Sequence, residues 1–417
     1  MDIIKPKIHE KLSHLNFEQI NEVIDLYMNS DIKISEILAT YEIDARPSEI
    51  RSILPLIIHE DVLCDYCNHP MWSEIPSRTN NYTNSTKQCP ICKHNDTSYC
   101  SCTNCNNIKK MQIEQERKRK RELLNKSLDL SKYRPVPIDD LSYEHRIYLG
   151  ALLRAGLSEN MEYIIPLNDF KEPLSPRDDY TNEIINDLFE AEIIKIHPQS
   201  PESAFVEINE DLSSRFYTHQ VYWHFNVSSE NSDRDSLISR LMNPLDDDYI
   251  FSIDNFEAWK RVALEECLEY LEFRLKKVDL TIKIGRKTIE TFNDLLNHYS
   301  VSQIYYIIYR AIGRALQFRE EKRNERVRIT DDHTANLVVF HCRDYGERAS
   351  ANQWDIANWS HDENCPQSIL SKFLYNRVLK VGDDGFKSIP RPIGKYKDII
   401  DYYEQTEKKD TDPNTDN

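Results

Sequence analysis

Apolar positions recur at helical spacing over much of the chain. Phe17, Ile20, Val23, Ile24 and Tyr27 share one face, behind Asn16, which can cap the first turn. Ile34, Ile37 and Leu38 line a second short helix. Ile50, Ile53 and Leu54 line a third, across a turn at residues 42–44. The periodicity lapses where cysteines crowd together, then returns thinly at Met111, Ile113, Leu123 and Leu124. YRPVPIDD at 133–140 reads as a proline-spaced linker. Beyond it the spacing predicts helices over 143–157 and 179–193, a short β-branched segment at 161–167, and alternating segments on either side of a turn at 198–203. Residues 213–250 are aromatic and irregular. Their His219 and His224, five apart, suit core or surface positions better than a ligand pair. From Phe256 onward, through Trp259, Val262, Ala263 and Cys267, helices are expected again, over 288–296, 301–318, 337–340 and 369–379.

Composition narrows the function classes. At 417 residues the chain is too long for one compact core, and 40% hydrophobic with 29% charged residues is a globular balance. Eight glycines are too few for loops that cradle phosphate with bare backbone, and neither GxxxxGK[ST] nor GxGxxG occurs. This argues against a P-loop or dinucleotide-binding enzyme. No run is long enough to span a bilayer and the N-terminus lacks a secretory pattern, so the expectation is cytoplasmic, with no membrane.

Seven of the ten cysteines lie in one short stretch: Cys64-x-x-Cys67, Cys89-x-x-Cys92 and Cys100-x-Cys102-x-x-Cys105. A CxxC pair presents two thiolates to one ion from a tight turn, and two such turns complete a tetrahedron. Cys64, Cys67, Cys89 and Cys92 can form one site. Alternatively Cys89, Cys92, Cys102 and Cys105 form a compact one, and Cys64 and Cys67 then need Cys100 with His69 or His94. Seven thiolates and one imidazole would fill two sites; one zinc with spare thiols also remains open. Residues 64–105 resemble zinc-ribbon modules. The resemblance implies one or two structural Zn2+ ions and, often, a nucleic-acid or protein contact.

The net charge of −17 is unevenly spread. Residues 1–135 hold 19 Lys+Arg and 19 Asp+Glu, and residues 62–126 hold 11 against 6. Local balance governs binding because fields decay over about 8–10 Å at physiological salt. Lys109, Lys110, Arg117, Lys118, Arg119, Lys120 and Arg121 follow the cysteines on an expected helix and are candidate phosphate contacts. The three short N-terminal helices resemble a helix-turn-helix that would direct Arg46 and Arg51 toward a major groove; the same residues fit a plain three-helix bundle. Helix, short strand, helix and hairpin over 139–212 resemble a winged helix, with its wing at 197–203.

The expected fold is therefore mainly α and multi-domain. An N-terminal helical unit (1–60) precedes a zinc ribbon (61–107), a basic helix and linker (108–138), a winged-helix-like α+β segment (139–212), an α-helical domain (213–405) and a disordered acidic tail (406–417). The leading function is a non-enzymatic, zinc-containing protein that binds DNA or RNA, with C-terminal regions that bind a protein partner or form a homo-oligomer. Two other readings stay open. Arg328-x-x-x-x-His333 resembles the motif of HEPN-type helical ribonucleases, which implies a metal-independent effector of a toxin or antiviral defence system, His333 as acid or base and Arg328 stabilising the scissile phosphate. His341, Cys342, His361 and Cys365 lack a tight chelating pair but are a further candidate metal set. The third reading is a zinc-stapled assembly subunit.

Overall fold

A computed structural model describes residues 7–78, 86–208, 215–230, 233–244 and 252–392; the expected acidic tail lies outside them. The chain is mainly helical. It divides into two compact units, Met1–Arg121 and Glu122–Asn417. No helix among the described residues is long and apolar enough to cross a membrane.

Unit 1 begins with the three short helices. α1 (Phe17–Asn29) opens on a reciprocal cap, the Asn16 side chain accepting from the Gln19 N–H and Gln19 from the Asn16 N–H, both at 2.9 Å. Ile20, Val23 and Tyr27 pack with Ile37 and Leu38 of α2 (Ile34–Thr40) and with Ile50 and Ile53 of α3 (Ile50–Ile53). α3 is a single turn entered through a 3-10 turn, Pro47–Glu49. β1 (Ile57–Leu63) and β2 (Pro70–Ser73) pair antiparallel, Ile57 opposite Ser73, and bridges from Trp72 to Gln88 and from Gln88 to Asn95 widen the ribbon. Ile75, just past β2, closes the core of the three helices. α4 (Thr103–Ser127) follows the last cysteines.

Unit 2 buries one continuous core from Leu124 to Phe386, so the expected boundary near residue 212 separates no second core. β3 (Val136–Pro137) leads to α5 (Tyr143–Gly156) and α6 (Asp178–Glu190). β4 (Ile194–Ile196) then pairs antiparallel with β5 (Trp223–Phe225), and β6 (Val227–Ser228) runs parallel to β3. The hairpin expected at 197–203 is replaced by a turn and a 3-10 helix, Glu202–Ala204. All three β4 residues are buried, which calls for a partner that is itself buried; Trp223 and Phe225 fill that place and Val206, half exposed, cannot. The expected segment at 161–167 contributes only Ile164, bridged to Leu157 and Trp223.

After α7 (Arg234–Met242) come α8 (Ser252–Lys276), α9 (Arg286–Leu296), α10 (Val301–Asn324) and α11 (Asp331–Ala351). α10 packs against α8 and α11, and α9 against α8 and α11. α12 (Ile369–Phe373) lies on α5 and runs into a π-helical turn, Leu374–Val378. In α13 (Asp384–Lys387), Gly385 lets the backbone meet the Tyr375 ring, while its carbonyl accepts from the Trp259 indole N–H at 2.8 Å. A Cβ there would overlap that ring. Gly385→Ala should therefore lower unfolding free energy by about 2 kcal/mol through overpacking. An unchanged denaturant midpoint would show that the ring yields freely.

Candidate metal centre

The ribbon turns repeat one backbone design. In the first, the Cys64 N–H donates to the His69 carbonyl and the Asn68 N–H to the Cys64 carbonyl, both at 2.9 Å. In the second, the Cys89 N–H donates to the His94 carbonyl (2.6 Å) and the Lys93 N–H to the Cys89 carbonyl (3.0 Å). Asn68 (φ 49°) and Lys93 (φ 62°) hold the same left-handed place, one residue after the second cysteine. The two turns gather Cys64, Cys67, Cys89 and Cys92, with ligand atoms all within 4.8 Å of one another. Cys64 Sγ and Cys92 Sγ stand 3.6 Å apart. A disulfide needs about 2.05 Å, and all ten cysteines are free. Around a tetrahedral zinc with Zn–S bonds of about 2.3 Å, sulfurs sit about 3.8 Å apart.

A second set forms beside it from His94, Cys100, Cys102 and Cys105. His94 Nδ1 lies 3.4, 3.8 and 3.3 Å from the sulfurs of Cys100, Cys102 and Cys105. A tetrahedral zinc with mixed ligands calls for about 3.5 Å between nitrogen and sulfur. His94 Nε2 points back to the Asp65 carboxylate at 4.0 Å, and the Tyr66 hydroxyl stands 3.4 Å from Cys105 Sγ. Asp65 and Tyr66 both come from the first turn, so the first turn adjoins the second ligand set. Cys105 sits in the first turn of α4, which carries no acidic side chain; the thiolates themselves answer the positive end of the helix dipole.

The sulfurs need a cation. Burial and the hydrogen-bonded Cys67, Cys64 and Cys89 outweigh a backbone donor and push the Cys92 thiol up to about 12. Burial also opposes ionisation of Cys100, but the N–H groups of Asn95 and Cys102 overcome it and bring that thiol down to about 6. A dication relieves the crowding in each set, so the donor chemistry and spacing fit two closed, four-coordinate zinc sites.

No family model, curated protein or solved structure matches this chain. The assignment of ligands therefore rests on geometry alone. Of the pairings left open by the cysteine spacing, the structure selects Cys64, Cys67, Cys89 and Cys92 together, and His94 rather than His69 for the eighth place. The compact set of Cys89, Cys92, Cys102 and Cys105 is not formed.

The basic residues have unequal surroundings. Residues 106–119 of α4 are exposed on every side, Met111 and Ile113 included. Lys109 Nζ donates to the Cys100 carbonyl at 3.2 Å and so ties α4 to the second ligand set. Arg119 makes a two-pronged pair with Glu116, both bonds at 2.9 Å. Lys110, Arg117 and Lys118 are exposed and Lys120 half-buried, none with an ion-pair partner among the described residues, and Arg121 is half-buried. Arg46 is exposed, whereas Arg51 donates to the Ile75 carbonyl (2.9 Å) and Glu74 (3.3 Å), pinning α3 to the strand end. A groove of about 850 Å³ beside the ribbon is lined by Trp72, Gln88, Asn95, Lys7 and Lys93. Sequence reasoning did not find it, because Trp72 and Gln88 meet only through strand pairing.

Arg328 lines a pocket where α10 turns into α11; His333 is exposed on the first turn of α11 and is not among its lining residues. His341, Cys342, His361 and Cys365 do not converge: among the described residues, metal-ligating side chains gather only in the two sets above.

Proposed function

We propose that unit 1 is a two-zinc nucleic-acid-binding module whose contact surface is α4 and the adjoining ribbon groove. The observation that carries this reading is that four cations, Lys110, Arg117, Lys118 and Lys120, have no ion-pair partner among the described residues and lie on a helix whose first turn holds Cys105 of the second ligand set. The zinc centres are themselves anionic, since four thiolates around a dication leave the first doubly negative. Arg117 lies about 18 Å along the helix from Cys105 at 1.5 Å per residue. That is about two screening lengths at physiological salt, so the outer cations act on phosphate nearly undiminished. The groove is lined by Trp72, whose indole can stack on a base, together with Lys7, Lys93 and the acidic Glu74. The closed, sulfur-rich coordination suits a structural role for the metal, and no step of catalysis is assigned to it.

Labelled single- and double-stranded RNA and DNA, titrated with full-length protein at several salt concentrations, test this directly. Affinity should fall steeply with salt. Replacing Lys110, Arg117, Lys118 and Lys120 with glutamine should weaken binding at least tenfold. It should also flatten the log–log salt slope by up to about 3.6 on duplex DNA, near 0.9 for each of four lost phosphate contacts. Binding that ignores salt, or a variant that binds as tightly as the parent, removes the proposal.

A further inference from the structure

At the end of α10, unit 2 carries a pocket of about 640 Å³ walled by Arg319, Arg323, Arg326 and Arg328, with Glu320 as the acidic residue in its lining. The sequence of this unit is acidic as a whole: residues 122–417 hold 37 Lys+Arg against 53 Asp+Glu. Four guanidiniums in one concavity repel one another and focus positive potential. Two are only partly answered. Arg319 pairs with Asp331 at 2.7 Å, and Arg323 with exposed Glu320 at 3.5 Å, a contact of little strength in water. Arg326 and Arg328 have no ion-pair partner among the described residues.

The backbone explains how the four meet. Arg319 and Arg323 are one turn apart on α10. The helix then ends with the Val327 N–H on the Lys322 carbonyl (2.9 Å) and the Arg326 N–H on the Arg323 carbonyl (3.0 Å). This paired closure places Arg326 in the left-handed region (φ 63°), the position glycine fills most easily. An arginine there costs about 1 kcal/mol. The reversal also folds 326–328 back beside the arginines of the last turns.

We propose that this pocket binds a nucleoside phosphate, with the phosphates on the arginines and the nucleoside against Leu316, Val327 and Ile329. Guanidinium forks match phosphate oxygens in pairs, and the volume is that of a small-molecule site rather than of one bare anion. The ligand is either a free nucleotide or the phosphorylated end of a polynucleotide. This inference is independent of the proposed role of α4 and lies in the other unit.

Calorimetry on zinc-replete, full-length protein should show binding of ATP, weaker binding of inorganic phosphate, and none of adenosine. Arg326→Gly keeps the left-handed backbone and removes the charge; combined with Arg328→Gln it should weaken ATP binding at least tenfold at an unchanged melting temperature. A short RNA with a 5′-phosphate, compared with its 5′-hydroxyl twin, separates the sources: preference for the phosphate that disappears in the double variant identifies a polynucleotide end, and ATP binding without that preference identifies a free nucleotide. The α4 glutamine variant should bind ATP as the parent does, so failure of either proposal is visible separately. No binding of ATP or of either RNA end, ATP bound no better than phosphate, or an unaffected double variant overturns the assignment.

Discussion

Purified protein should carry two zinc ions per chain, and stripping them should unfold the ribbon at 57–105. The buried cluster at the heart of this segment is Cys64, Met71 and Cys89, with Val62, Cys67 and Cys92 against it. Four of these six are ligands, so almost no apolar core is left once the metal is gone. Structural zinc in comparably small modules contributes about 10–16 kcal/mol of apparent binding energy, which is also folding energy. Cys89→Ser should reduce the zinc content to one and expose the ribbon to protease, and His94→Ala should affect the second ion alone. His69→Ala is the control, since its ring Nδ1 lies against the Pro70 carbonyl at 3.2 Å and outside both ligand sets. Metal analysis that finds no zinc, or a ribbon that stays protease-resistant after chelation, would overturn the assignment. Acid should release the ions as well, because protonated thiols do not ligate.

The cysteine spacing makes the existence of the metal centre legible but not its wiring. A CxxC turn dictates that two sulfurs converge; which two turns share an ion depends on strand pairing. His69 and His94 occupy equivalent places in the two turns. Only the position of Cys100, Cys102 and Cys105 beside the second turn distinguishes them, and no local pattern encodes that. The same limit applies elsewhere. The cap at Asn16 and Gln19 is visible in the sequence because its partners are three residues apart. Arg51 reads as an outward groove contact until Ile75, 24 residues on, takes its guanidinium. β4 finds its partner in residues 223–225 rather than just beyond its own turn, because complete burial, not proximity, selects it. The arginine pocket has a faint signature, four arginines within ten residues, but whether they converge depends on how α10 ends.

Unit 2 should lose stability as pH rises from about 6.5 to about 8, and Glu266→Gln should reduce that loss. Glu266 on α8 is 1% exposed, and burial raises its carboxyl to about 7. Its Oε2 accepts from the Tyr375 hydroxyl at 2.9 Å, and the Ser371, Tyr375 and Gln367 side chains offset only part of the burial. One turn on, burial and then the charge of Glu266 raise Glu269 to about 8. Tyr305 and Cys267, both buried beside Glu266, are pushed up as well, first by burial and then by its charge. Unfolded, the two carboxyls ionise near 4.5. Between that pH and their folded values the native state therefore holds more protons than the unfolded state, and unfolding free energy falls with pH. Their contribution is complete below about 4.5 and is lost as pH passes through 7 to 8. For Glu266 alone the difference is about 3 kcal/mol, at 1.36 kcal/mol per unit. Carboxylates held low by a bonded partner, such as Asp233 at the start of α7 and Asp362 beside Lys277, act in the opposite sense and only below about 4. The buried imidazoles of His224 and His361, each brought down to about 4 chiefly by burial, also act in the opposite sense, between about 4 and 6.5, so the carboxyls are unopposed only above about 6.5. Denaturant titrations at pH 6.5 and pH 8, followed by tryptophan fluorescence, give the slope; four of the five tryptophans lie in unit 2. The glutamine variant keeps the acceptor for Tyr375 and cannot ionise, so its midpoint should fall less between the two pH values than that of the parent. Equal falls in both proteins would mean that Glu266 is already ionised in the folded state, with a charge held at the centre of the bundle.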